Sequence, residues 1–183
     1  AIDISRGNGA VAVNVMKAVR QHPAYVRQAC ESGAHAIVMG AGLPLDLPEM
    51  TAGFPGVALV PILSEARAVG IVLRKWLRKK RLPDAIVIEH PRYAGGHLGA
   101  TRLSEVRDPR FDFEPVLEAT FGIFRELAVD AIPVVVAGGI HTHEQVRSLL
   151  ALGASAVQLG TPFAVSEEGD AHPEFKRVLA QAR

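Results

Sequence analysis

Six short runs of β-branched and aliphatic residues recur along the chain and alternate with segments of helical character. The runs are apolar at nearly every position and cover Val11–Met16, Ala36–Met39, Val57–Ile62, Ala85–Ile88, Val134–Val136 and Ala156–Leu159. Continuous rather than alternating hydrophobicity is typical of strands buried on both faces, as in a parallel sheet. The pattern therefore predicts six strands of an α/β fold.

The segments between the runs carry recognisable helix ends. Four helices are expected. Pro23 and Gly33 bound the first, and Ser64 caps the second, Glu65–Arg81. The third shows one apolar face over Glu114–Leu127, and the fourth begins with a Thr142–Gln145 capping box and stops at Gly153. Consecutive βα units form either an open doubly wound sheet or a closed (β/α)8 barrel. Six strands are too few to close the barrel.

Composition narrows the class of protein. The chain has 183 residues and no linker-like stretch, which favours a single domain over residues 1–183. With 20 basic and 19 acidic residues it has no field that would attract nucleic acid or an anionic membrane. Its one cysteine, Cys30, excludes an internal disulfide, and no apolar run approaches the roughly 18 residues of a membrane span. We expect a soluble, cytoplasmic protein.

Two neighbouring strands are each followed by residues that suit phosphate binding. Gly138 and Gly139 follow one, and Gly160 and Thr161 follow the next. Glycine lets a phosphate approach the backbone closely, and Thr161 adds a hydroxyl donor. The last two strands of many (β/α)8 barrels build a phosphate site at this edge. The pattern predicts a phosphate-binding site without identifying the ligand. The alternative is that these glycines only permit tight turns.

A glycine-rich loop, Tyr93–Gly99, follows the fourth strand and carries His97. An imidazole there has a near-neutral pKa that suits proton abstraction, although a loop histidine can also be merely exposed or capping. His90 is the one rival, because it is close to the same strand end. No His, Asp or Glu grouping has the regular spacing of a metal site, so no metal is expected.

Four segments, Gly40–Pro44, Ala94–Gly99, Ala137–Ile140 and Gln158–Phe163, resemble in this order the nitronate monooxygenase (2-nitropropane dioxygenase) family. The resemblance runs from about Val11 to Phe163 and implies an FMN-dependent (β/α)8 barrel with His97 as the catalytic base. It implies that Gly138, Gly139, Gly160 and Thr161 hold the FMN phosphate. The further residues expected at the flavin are Asn14, Gly40, Ala41, Gly95, Gly96 and Gln158.

The resemblance also raises a question about the ends of the chain. Family members begin with two further βα units, so the visible strands would be the third to the eighth. A typical barrel has about 250 residues, and the chain begins at Ala1 without a methionine. We expect one FMN-binding barrel domain that lacks its first two units. It would be either a fragment of a longer polypeptide or a homo-oligomer whose copies cover the open barrel edges.

The expected reaction is the oxidation of a nitronate or nitroalkane by oxygen to a carbonyl compound and nitrite. Flavin-dependent enoyl-acyl-carrier-protein reductases share the Gly-Gly-His loop, so an NAD(P)H oxidoreductase acting on an enoyl thioester or a quinone is the alternative. A third alternative is an inactive barrel fragment that binds little or no flavin.

Overall fold

A computed structural model describes residues 7–94 and 99–181 of the chain. Six strands form one sheet: β1 Ala12–Met16, β2 Ala36–Gly40, β3 Ala58–Leu63, β4 Ile86–Glu89, β5 Val134–Ala137 and β6 Ala156–Gln158. In the described part of the chain, seven α-helices accompany them: α1 His22–Glu31, α2 Leu47–Met50, α3 Ala66–Leu77, α4 Phe113–Glu126, α5 His143–Ala151, α6 Thr161–Ala164 and α7 Pro173–Gln181. Three short 3-10 turns, Pro91–Tyr93, Leu103–Glu105 and Pro109–Phe111, lie between β4 and α4.

Every strand pair in the sheet is parallel, and the strands lie side by side in chain order from β1 to β6. Parallel neighbours in chain order, joined through helices, make a half-barrel of the (β/α)8 type. All six predicted strands and the predicted α/β class are confirmed. β1 and β6 stand at the two ends of the strand order.

The two faces of the sheet bury different sets of side chains. The face toward the helices holds the main core, in which Trp76 of α3 is fully buried and donates its indole N–H to the Pro44 carbonyl at 3.1 Å. The other face holds a small aliphatic cluster around Ile62, Val87 and Ala137. Burial on both faces explains why β3, β4 and β5 are apolar at successive positions, whereas β1 is exposed at alternate positions and β6 has no buried residue.

The helix ends agree with the sequence except at α3. Thr142 and Gln145 form the predicted capping box, and Gly33 and Gly153 take positive φ directly after the C-cap residues of α1 and α5. The cap of α3 was predicted wrongly, because Glu65 rather than Ser64 occupies the N-cap position in an extended conformation. This helix also ends at Leu77, short of Arg81. The four residues from 78 to 81 are all cationic, and Lys80 takes a positive φ of 56°, which does not continue a right-handed helix.

Within residues 7–94 and 99–181, no helix has both the length and the apolar character needed to cross a membrane.

Candidate functional site

The carboxyl ends of β4, β5 and β6 surround a cleft of about 800 Å³. Strand pairing sets this arrangement, because Glu89 is level with Ala137 and Ala137 is level with Gln158. The turns that follow β5 and β6 therefore lie side by side. Five of the predicted site residues line this one cleft, and they are Gly138, Gly139, Gln158, Gly160 and Thr161.

The two turns offer backbone hydrogen-bond donors to the cleft region. In the described part of the chain, the N–H groups of Gly138, Gly139 and Gly160 donate to no protein acceptor. A Cβ placed on Gly160 would meet no atom within 4 Å, so the backbone at this turn is open to a ligand. Thr161 adds a hydroxyl beside these amides. Unpaired amides next to a hydroxyl donor are suited to an anionic oxygen group such as a phosphate.

Gln145 connects the first turn to the start of α5. Its side-chain oxygen accepts from the N–H groups of His141 and Thr142, at 2.9 and 3.0 Å. Its side-chain nitrogen donates to the Gly139 carbonyl at 3.1 Å, which fixes the orientation of that peptide group. The sequence predicts Gln145 only as a capping residue, and the bond to Gly139 is a second role that the fold adds.

Three predicted residues lie at the other end of the strand order and outside the lining of this cleft. Asn14 is exposed on β1, Gly40 ends β2, and Ala41 follows it with a φ of +55°. A Cβ on Gly40 would stand 3.0 Å from the Cβ of Ile62, so a glycine permits the close packing of β2 on β3. That these three residues bind the same flavin as the residues of the cleft stays a prediction.

An ion pair stands near Ala41, between Lys17, which follows β1, and Asp46, which precedes α2. The Lys17 side chain also lies close to Gly42, since a Cβ placed on that glycine would stand 3.6 Å from it. Burial by itself would raise the pKa of the Asp46 carboxyl. The hydrogen bond from Lys17, a backbone amide and the charges of Lys17 and His22 outweigh it and hold this pKa below its ordinary value.

The predicted base and its neighbouring glycines, Gly95, Gly96 and His97, lie outside the described residues. Their roles stay predictions. The rival histidine, His90, is buried at the end of β4 and lies apart from the cleft lining. Its Nδ1 accepts the backbone N–H of Arg92 at 3.2 Å, which gives it a place in the local turn.

Sequence reasoning missed several residues of the cleft. Glu89 and Tyr93 line it from the end of β4 and the turn that follows, and Leu179 and Ala180 line it from α7. The position of Glu89 as the last residue of a strand was a usable signal, since strand ends of parallel sheets gather at one edge. Nothing in the local sequence of α7 indicates that this helix returns to the cleft.

The described residues contain no group of three or more His, Cys, Asp or Glu side chains that could hold a metal ion. The polar side chains that line the cleft are those of Glu89, Tyr93, His141, Gln158 and Thr161.

Comparison with known proteins places this geometry in a family. The family model for nitronate monooxygenase matches residues 5–183. A probable nitronate monooxygenase of Bacillus subtilis is 34% identical over 110 residues, 58% of this chain and 28% of that protein. A nitronate monooxygenase of Pseudomonas aeruginosa is 36% identical over 105 residues, 55% of this chain and 26% of that protein. The matches thus span about a quarter of these curated relatives.

Solved structures agree on the fold. FabK from Thermotoga maritima matches the whole chain with a TM-score of 0.73 and 25% identity, and the chain covers 51% of it. Nitroalkane oxidase from Streptomyces ansochromogenes matches 84% of the chain with a TM-score of 0.63 and 22% identity, and 41% of that structure is covered. Because the family model extends over nearly every residue that builds the half-barrel and its cleft, the chain belongs to the nitronate monooxygenase family.

Proposed function

We propose that the natural protein that carries this chain is an FMN-dependent oxidoreductase. It would oxidise nitronates or nitroalkanes with oxygen and release a carbonyl compound and nitrite. The observation that supports it most is that Gly138-Gly139 and Gly160-Thr161 line one cleft within a chain of this family. Family membership implies an oxidoreductase, and the family is generally flavin-dependent.

The residues of the cleft offer the types of hydrogen-bond donor that suit the phosphate of FMN. Among the residues that the structure describes, the backbone N–H groups of Gly138, Gly139 and Gly160 have no protein acceptor, and Thr161 lines the same cleft. We propose that Gln158, which ends β6 and lines the cleft, hydrogen-bonds the polar part of the same ligand. A bound FMN would supply the redox chemistry of the reaction.

The protein would contribute a base and a site for a small substrate. We propose that the imidazole of His97 removes the proton from the carbon that bears the nitro group. A pKa near neutrality suits this role, since the imidazole must be unprotonated to accept the proton and protonated to release it. A preformed nitronate has already lost this proton, so its oxidation would depend less on His97.

Three measurements on the purified natural protein test the cofactor and the reaction. The absorbance spectrum should show bound flavin, nitrite should appear when a nitronate is added in air, and oxygen should be consumed in step with it. A protein that stays colourless after incubation with FMN would contradict the cofactor. Oxidation of NADPH with no nitrite from a nitronate would favour the second candidate, a reductase of enoyl thioesters or quinones, which the Gly-Gly-His loop also suits.

A matched pair of ligands tests the phosphate site itself. Thr161→Val removes the hydroxyl and keeps the side-chain shape, so FMN should bind about tenfold more weakly, as for one lost hydrogen bond to a charged group. Riboflavin, which lacks the phosphate, should bind the variant and the unaltered protein alike. Equal losses for both flavins would contradict the assignment of Thr161 to the phosphate.

A further inference from the structure

The turn Pro91–Tyr93 is held in shape by His90. The His90 ring nitrogen Nδ1 accepts the N–H of Arg92 at 3.2 Å, and its carbonyl accepts the N–H of Tyr93 at 3.1 Å. The His90 N–H donates to the carbonyl of Ala137 at 3.0 Å, which joins the end of β4 to the end of β5. One residue therefore anchors both the turn and its attachment to the next strand.

His90 is itself held from several sides. It is 7% exposed, its ring centroid lies 5.2 Å from that of Tyr93, and Phe113 meets it edge-on at 5.8 Å. Because Nδ1 accepts a hydrogen bond, the neutral ring carries its proton on Nε2. That nitrogen lies 3.6 Å from a carboxylate oxygen of Asp112, at the start of α4. Two aromatic neighbours and one carboxylate thus fix the orientation of the imidazole.

The turn Pro91–Tyr93 packs closely against Gly138 and Gly139. A Cβ on Gly139 would lie 2.9 to 3.1 Å from three ring carbons of Tyr93. A Cβ on Gly138 would lie 3.2 Å from the His90 carbonyl oxygen and 3.3 Å from the Tyr93 Cβ. A Cβ at Gly139 would force the Tyr93 ring to shift, and one at Gly138 would be in tight contact with the turn. The backbone of the two glycines is therefore supported by His90 and Tyr93.

We propose that Tyr93, set in place by His90, is a positioning residue for the phosphate-binding turn Gly138-Gly139. The inference rests on the FMN site proposed above, and it adds how the backbone of that turn is held in one conformation. Both glycines have positive φ, +103° and +72°. A glycine also populates several other backbone conformations, which compete with this one. An aromatic ring packed on their backbone excludes competing conformations before the ligand arrives, which lowers the entropy lost on binding.

The experiment compares FMN and riboflavin binding by Tyr93→Ala, Tyr93→Phe and Tyr25→Ala in the natural protein. Tyr25 is the matched control, because the two tyrosines of the chain are 51% and 50% exposed and Tyr25 lies on α1. Tyr93→Ala should weaken FMN about tenfold and riboflavin less than about twofold. Tyr93→Phe keeps the ring and should bind both flavins as the unaltered protein does. Tyr25→Ala should change neither affinity.

A second pair of variants tests the part played by His90. His90→Asn keeps a side-chain acceptor for the Arg92 N–H, as in an Asx-turn, whereas His90→Ala removes it. His90→Ala should weaken FMN more than riboflavin, and His90→Asn should recover most of the loss. The melting temperature of each ligand-free variant separates these effects from general unfolding, and the Tyr93 variants keep the test decisive if His90→Ala fails to fold.

The outcomes are distinct. Unchanged FMN affinity in Tyr93→Ala would overturn the positioning role while leaving the proposed cofactor in place. Equal losses for FMN and riboflavin would also overturn it, since they would show contact with the flavin ring or a general disturbance. Failure of the unaltered protein to bind either flavin would refute the cofactor and this inference together.

Discussion

Replacing Gly139 by alanine should destabilise the protein, for two reasons that can be measured separately. The residue has a φ of +72°, and a left-handed conformation costs a residue with a Cβ about 1–2 kcal/mol. The new methyl carbon would also lie 2.9 Å from the Cδ2 atom of Tyr93. Overpacking of this kind costs about 1–3 kcal/mol, and the lower entropy of unfolded alanine offsets about 0.4–1 kcal/mol.

The net loss in the free energy of unfolding should be about 1–4.6 kcal/mol by these terms. Urea unfolding followed by the fluorescence of Trp76, the only tryptophan and a fully buried one, measures it. Gly53→Ala is the control, because its Cβ would meet no atom within 4 Å, and it should change stability by less than about 0.5 kcal/mol.

A double-mutant cycle divides the two terms. In a Tyr93→Ala background the ring is absent, so Gly139→Ala should retain only the backbone cost of about 1 kcal/mol. An equal cost in both backgrounds would refute the contact between Tyr93 and Gly139. A Gly139→Ala protein as stable as the Gly53→Ala control would refute the whole argument from positive φ and close packing.

Four further changes have expected outcomes. His97→Asn should leave FMN binding intact and lower nitrite release from a neutral nitroalkane by about 100-fold or more, and unchanged turnover would exclude His97 as the base. Thr142→Ala should destabilise by about 1 kcal/mol in urea unfolding through loss of the α5 cap, whereas Thr142→Ser should not. Because the pKa of Asp46 is lowered in the folded protein, its ionised carboxylate stabilises the fold fully above the ordinary pKa of 3.8. This stabilisation is lost as the pH falls through the lowered pKa, so the stability of Asp46→Asn should depend less on pH in that range. Burial raises the pKa of the Cys30 thiol, so folded protein at neutral pH should react with iodoacetamide far more slowly than unfolded protein.

The prediction of the strands succeeded for a local reason. A strand buried on both faces needs apolar side chains at successive positions, and a run such as Ala85–Ile88 shows this without reference to the rest of the chain. The capping box at Thr142 is likewise contained within four residues. Features of this kind depend on neighbours in sequence, so the sequence alone can reveal them.

The cap of α3 shows where local reasoning fails. Ser64 is a favourable capping residue by type, yet it is 3% exposed at the end of β3, and a Cβ on Gly99 would lie 2.1 Å from its hydroxyl oxygen. A contact with a residue 35 positions away therefore takes up the space around Ser64, and the extended residue Glu65 begins the helix. The end at Leu77 has a similar cause, since Lys79 reaches the carbonyl of Leu45 and the carboxylate of Glu49.

The sequence by itself determined the α/β class, the order of the six βα units and the pairing of a Gly-Gly turn with a Gly-Thr turn on consecutive strands. Only the tertiary structure decided that these turns share a cleft with Glu89 and α7, that Gln145 bonds to Gly139, and that Tyr93 lies on the two glycines. The reason is physical. Hydrophobic pattern and turn chemistry act over a few residues, whereas contacts between strand ends depend on sheet register and helix packing, which fold distant segments together.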